Sequence, residues 1–290
     1  MKNTRMKAIL FLVVASILWS TGGLLIKLVD WNPVAIAGMR SGISALFMML
    51  YLRKSVQFQK EKVIGAAFYS ATVILFVVAN KMTTAANVIL LQYSAPIWVA
   101  LMSGWILKEK VRLTDWATIG VVMGGMVLFF VGDLQVGQMF GNALAVLSGI
   151  MLAGTIISLK MVKTGEPVEI PLIGNVLTLL VAIPFIIGPA PDMKSIIGLI
   201  LLGVFQLGIS YILFSEASKH VSAVEAILIP VIEPLLNPIW VFIFAGEKPG
   251  PFALVGGFVV VGAVVARSLI VTKLNAKAAK VDKVAGDVAL

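Results

Sequence analysis

Residues 227–240 read ILIPVIEPLLNPIW. The stretch is apolar enough for a bilayer, yet it holds Pro230, Pro234 and Pro238 together with Glu233 and Asn237. A proline has no amide proton, so the carbonyls of Ala226, Pro230 and Pro234 lose their usual helical partners. The spacing of four sets the prolines on one stripe, and Glu233 and Asn237 share a face one turn apart. Broken backbone is tolerated at membrane depth only against protein or a water-filled cavity. The segment is therefore expected to face the interior of a helix bundle. A kink that serves packing alone is the plainer alternative.

The rest of the chain supplies the bundle. Of 290 residues, 60% are hydrophobic and 13% charged, and the mean hydropathy is +1.03. The charges lie in short clusters between apolar stretches of about 20 residues, the length that crosses a hydrocarbon core. Ten such stretches centre on 8–28, 33–52, 62–81, 85–107, 113–131, 138–160, 168–188, 194–214, 221–244 and 250–272. A soluble bundle would need polar helix faces, and these segments have none. The fold class is an all-α, ten-helix membrane protein. The start, MKNTRMKAILFLVVASILWS, has a basic end and an apolar core like a signal peptide. It lacks an A-x-A cleavage site, and the apolar run continues to Leu28, so a retained first helix is expected. The tail 273–290 is basic and Ala-rich and reads as a frayed helix end or an unstructured cytoplasmic segment.

The formal net charge of +9 would suggest nucleic acid in a soluble chain. Here its distribution gives an orientation instead. With a cytoplasmic N-terminus, eighteen basic residues fall on the inside and only Lys27, Lys81, Lys194 and Lys248 outside. That asymmetry places both termini in the cytoplasm.

A plainer version of the opening stretch, ILLQYSAPIW, occupies 89–98. At a constant offset the halves match at Lys81/Lys219, Thr84/Ser222, Ala85/Ala223, Ile89/Ile227, Leu90/Leu228, Pro96/Pro234, Glu109/Glu247 and Gly124/Gly262. A neighbouring offset aligns Lys27 with Lys160. The units are 1–131 and 138–272, five helices each, so the second must cross the membrane in the opposite sense. Inverted repeats of this kind mark secondary transporters that hold solute near the midplane, where the halves meet. Channels and some flippases share the device.

In both copies a Thr/Ser-rich helix start leads to a mid-helix proline, a Glu after the helix and a Gly-rich next helix. The segments TTAANVILLQYSAPIWVALMSGWILKEKVRLTDWATIGVVMGG and SAVEAILIPVIEPLLNPIWVFIFAGEKPGPFALVGGFVVVG, with Arg40 in AIAGMRSGISALFMML, resemble the EamA-type branch of the drug/metabolite transporter superfamily. The resemblance covers residues 8–272. It implies export or exchange of amino acids and other small metabolites across a bacterial inner membrane, by alternating access. It names no one substrate. A lipid-carrier flippase, or a passive uniporter or channel of the same superfamily, is the alternative.

Candidate site residues follow from polarity at depth. Glu233 lies roughly 18 Å into its helix, so it should be protonated or paired, and intramembrane ionisable groups are functional by default. That makes it the proton-coupling candidate, its bland alternative a structural carboxylate. Arg40 comes out at a similar depth, which suits a pair with Glu233, joint contact with a zwitterion, or snorkelling outward. Trp19, Ser20, Gln92, Tyr93, Trp98, Tyr211, Ser215 and Asn237 are further cavity-lining candidates, with packing the alternative for each aromatic. Pro96, Pro230, Pro234 and Pro238 are expected to bend their helices. Glu225 reads as a solvated helix end, and Gly38/Gly42, Gly120/Gly124 and Gly262/Ala266 as close-packing pairs, with a weak dimer contact the alternative. The chain has no Cys and a single His, and neither a P-loop nor a nucleophile–base pair. No cofactor, metal site or catalytic residue is expected. The partners expected are a small-molecule solute, protons and lipid.

Overall fold

The computed structural model describes residues 2–131, 137–187, 190–236, 240 and 251–288. Among them every regular element is helical. Helix α1 (Lys2–Trp19) is followed by the short α2 (Gly22–Leu28), then α3 (Pro33–Leu52) and α4 (Lys60–Met82). The next span is interrupted: α5 (Ala85–Gln92) and α6 (Ala95–Met102) flank a turn at Tyr93 and Ser94, and a π-helical stretch, Ser103–Leu107, completes it. Helices α7 (Leu113–Phe130), α8 (Met139–Met161) and α9 (Glu169–Ile186) come next. Then α10 (Met193–Leu201) passes through a π-helical segment, Leu202–Ile209, into α11 (Ser210–Ser218). The opening stretch begins with α12 (Ala223–Leu228), tightens to a 3-10 turn at Ile229–Val231 and resumes as helix over 232–236. A last helix runs Pro251–Val288.

Among the described residues, eight helices are long and apolar enough to cross a membrane, and Leu113–Phe129 is a shorter apolar one. The protein is a multi-pass membrane protein. Helix starts are set by local chemistry. Asn32 Oδ1 accepts from the amides of Val34 and Ala35 ahead of Pro33, Thr84 caps Asn87, and Asp192 caps Ser195. Ser222 and Glu225 form a reciprocal capping box at α12.

The packing is paired. Helix α4 lies along α8 and α9, α3 along α9 and the π-helical segment, α1 along α11, and α7 along the last helix. Two lysines tie helix ends to their neighbours. Lys27 donates to the carbonyls of Asn80, in α4's last turn, and Thr83, just past it. Lys160 donates to those of Ser218 (3.0 Å), the last residue of α11, and Val221 (2.5 Å), beyond it.

Several expectations change. Glu225 is not a solvated end: it is 6% exposed, and Arg5 reaches it at 2.6 Å with Arg267 3.8 Å away. Arg267 also binds Asp115 at 2.7 Å. Lys62, one of the eighteen basic residues that the charge count sets on the cytoplasmic side, is fully buried and paired with Glu169 at 2.5 Å. Glu169 also accepts from the Gln57 and Glu166 amides, joining two loops. Gly165 sits beside this pair at a φ of +79°, a left-handed backbone that suits glycine. Gly38 and Gly42 do pack, against Ala182 and Leu179. Gly120, Gly124 and Gly262 have no neighbour within 4 Å of a Cβ position among the described residues, so no close helix packing is seen there. The tail is helical through Val288, continuous with the last span.

Candidate functional site

The two interrupted helices meet at their interruptions. The Tyr93 Oη, at the α5–α6 break, lies 2.8 Å from the carbonyl oxygen of Pro230 and 2.9 Å from Glu233 Oε2. Pro230 is the residue whose carbonyl Pro234, four positions on, leaves without a helical amide. A side chain from the other interrupted helix thus satisfies a backbone acceptor that the proline freed. A phenol has one proton. Both contacts are hydrogen bonds at once only when Tyr93 donates to Pro230 and a protonated Glu233 donates to Tyr93 Oη. An ionised Glu233 would draw the phenol proton to itself and strand the carbonyl.

Around this junction is a cavity. Its polar lining comes from Arg40 on α3, Thr72 on α4, Gln92 and Tyr93 at the first break, Gln206 in the π-helical segment, Tyr211 on α11 and Glu233. Trp19, Phe76 and Phe214 add aromatic walls. Trp19 stacks obliquely on Tyr211 and Phe214, with ring centroids 5.0 and 5.1 Å away. Tyr69 meets Tyr211 edge-on at 4.7 Å and lies 3.1 Å from Asn175 Oδ1. Gln92 is fixed by a 2.7 Å bond to Ser148, which in turn bonds the Thr72 carbonyl.

Arg40 does not snorkel. It is 1% exposed and donates from Nη1 to Gln206 Oε1 at 3.1 Å. Among the described residues it forms no ion pair with Glu233, although both line the cavity. Among the same residues its Nε has no hydrogen-bond partner, and neither does Trp19 Nε1. Of the expected lining residues, Trp19, Arg40, Gln92, Tyr93 and Tyr211 are brought together around the cavity, with Glu233 and Pro230. Ser20 is not at its wall: its hydroxyl donates to Ile17 and accepts from Trp240 Nε1 at 2.8 Å. Trp98 packs against the core instead. Ser215 lines a separate depression with Lys7, Lys54, Glu166 and Lys219, toward the N-terminal end of α1. There the Lys219 ammonium, by its hydrogen bond, holds the Glu166 carboxyl below the usual carboxylate range. Pro96 begins α6 and is buried, and Pro234 is buried in 232–236. Asn237 and Pro238 lie outside the described residues.

Gln206 escaped the sequence reading. Its signal was available: it is the one amide in the apolar run IIGLILLGVFQLGISYILF. What the sequence hides is the π-helical winding that presents it, a local widening often found where a helix carries a functional side chain. Two glycines admit this arrangement. A Cβ on Gly22 would come 2.8 Å from Gln206 Nε2, and one on Gly203 would come 2.8 Å from the Arg40 carbonyl.

A helical membrane bundle with a mixed polar and aromatic cavity, lined by a buried arginine and a carboxylate, is a form that solute carriers take. The chain belongs to the EamA-like transporter family, whose model matches twice, over residues 6–131 and 139–269. It is 28% identical over 228 residues to a Bacillus subtilis (strain 168) protein described as "Uncharacterized transporter YdfC", covering 73% of this chain and 71% of that one. An Archaeoglobus fulgidus protein, also described as an uncharacterized transporter, is 23% identical over 259 residues, or 87% of this chain and 93% of its own. One solved crystal structure superimposes with a TM-score of 0.79 at 18% identity, over 92% of this chain and 98% of its own. That likeness concerns the fold.

Proposed function

We propose that the chain is a secondary transporter that exports or exchanges small amphipathic metabolites, amino acids or similar solutes, across a bacterial inner membrane. The observation that carries this reading is the cavity at the crossing of the two interrupted helices. It brings one buried cation and one carboxylate together with aromatic walls inside the membrane, where charged groups mark solute and proton pathways.

The architecture proposed is ten spans in two inverted repeats, 1–131 and 138–272, with both termini cytoplasmic. Several features support it. The family model matches once in each half. The carbonyls held by Lys160 are those of 218 and 221, the repeat equivalents of 80 and 83, which Lys27 holds. The helix pairings also come in matching sets: α1 with α11 answers α4 with α8, and α4 with α9 answers α3 with the π-helical segment. A two-fold exchange of halves is the arrangement in which rocking one against the other alternates access.

Glu233 is the proposed coupling group. Its protonation decides which acceptor Tyr93 serves, and so whether the Pro230 carbonyl stays paired across the junction. Neither cofactor nor catalysis enters this scheme. Counterflow of labelled metabolites into liposomes loaded with the same unlabelled compound tests it. Accelerated uptake of at least one amino acid or related solute is expected. Translocation of a fluorescent lipid without any such counterflow would replace the reading with a flippase.

A further inference from the structure

The central cavity holds an imbalance. Two of its buried donors, Arg40 Nε and Trp19 Nε1, have no acceptor among the described residues. An unmade hydrogen bond to a charged buried group is costly. The guanidinium is further fixed in place, because Gln206 Oε1 accepts from Nη1 at 3.1 Å and so sets the plane of the fork. Gln206 is neutral, so it orients Arg40 without cancelling its charge. Among the described residues, Arg40 and Glu233 are the only charged side chains that line the cavity. When Glu233 keeps a proton, which lets both Tyr93 contacts form at once, the cavity carries one uncompensated positive charge.

Missing acceptors and an excess positive charge call for the same ligand feature. We infer that Arg40, oriented by Gln206 and assisted by Trp19 Nε1, is the subsite for a carboxylate of the transported solute, and that the carboxylate rather than an amino group is the feature the cavity requires. The inference rests on the reading that this cavity is the solute site. A planar guanidinium matches a carboxylate with two parallel hydrogen bonds. The Nε edge, which Gln206 leaves free, is one such face. The other charged group, a protonated Glu233, offers no charge for an ammonium to meet. Gln206 acts here as a positioning residue and Arg40 as the binding group.

Four related compounds separate the features: leucine, 4-methylpentanoate (leucine without its amino group), leucinamide and isopentylamine (leucine without its carboxylate). Each is titrated against the purified full-length protein, with thermal stabilisation as the readout. Leucine and 4-methylpentanoate are expected to stabilise at similar concentrations. Leucinamide and isopentylamine should need about tenfold more or fail, as an unfilled charged hydrogen bond predicts. Gln206→Glu conserves volume but supplies Arg40 with a resident carboxylate. It should weaken both carboxylates by about tenfold or more without lowering the melting temperature of the ligand-free protein. Isopentylamine binding as well as leucine, or a Gln206→Glu protein that still binds the carboxylates undiminished, would overturn the subsite. Stabilisation by none of the four overturns it also. Those results leave the transporter reading standing if liposomes show counterflow of any metabolite, whereas absence of all counterflow in the wild type removes both.

Discussion

Tyr93 has a single proton and two acceptors within reach, Pro230 and Glu233. Everything proposed about coupling rests on which of them receives it. Glu233→Gln mimics the neutral acid: its amide can donate to Tyr93 Oη and leave Tyr93 free to serve Pro230. The variant is expected to keep solute exchange in liposomes and lose acceleration by a pH gradient. An undiminished pH response in the Gln variant would remove Glu233 from the coupling role, and a wild type with no response would make the protein a uniporter. Tyr93→Phe removes only the hydroxyl, leaving a buried carbonyl without its donor. A loss of about 1–3 kcal/mol in stability is the usual scale of such a deletion, measurable as a lower melting temperature. A variant as stable as the wild type would mean that the Pro230 carbonyl finds another partner.

At the scale of elements, the proline arithmetic of 227–240 was legible before any coordinates. Each proline removes one amide, and Ile229–Val231 does leave the regular helix. The first copy was harder to read. Pro96 sits in the first turn of α6, after a turn at Tyr93 and Ser94, where its missing amide removes no hydrogen bond within α6. Pro234→Ala would restore an amide to pair with the Pro230 carbonyl. It is expected to raise the melting temperature and slow counterflow; faster counterflow would show that the break is not needed for movement. Other features were not legible because they depend on what lies across the bundle. Lys62 counts by sequence among the basic residues on the cytoplasmic side, but the neighbouring loop carrying Gly165 folds over it. Glu225 lies near a span's end, yet Arg5 and Arg267 converge on it from distant segments. Gln206 was visible as a lone amide in an apolar run, but its partnership with Arg40 depends on helical winding that no periodicity reveals.

For the whole molecule, orientation follows from charge. A cysteine is needed for labelling, and the native chain has none to interfere. Replacement of Ser55 is expected to give a thiol shielded from an impermeant reagent applied to cells, and replacement of Lys194 one that reacts. Both positions are exposed, so packing does not hide either. The opposite labelling pattern would reverse the proposed orientation.

The central claim is that the cavity joining the two interrupted helices is where solute crosses, and Arg40 is the one buried cation among its described lining residues. The initial rate of counterflow in liposomes, compared at equal reconstituted protein for the wild type, Arg40→Ala and Arg40→Lys, tests that most directly. A lysine offers a point charge in place of a planar fork, so both variants are expected to fall to about the rate of empty liposomes, a loss of tenfold or more for a missing charged contact. Counterflow at the wild-type rate in Arg40→Ala would contradict the account, placing the solute path elsewhere in the bundle.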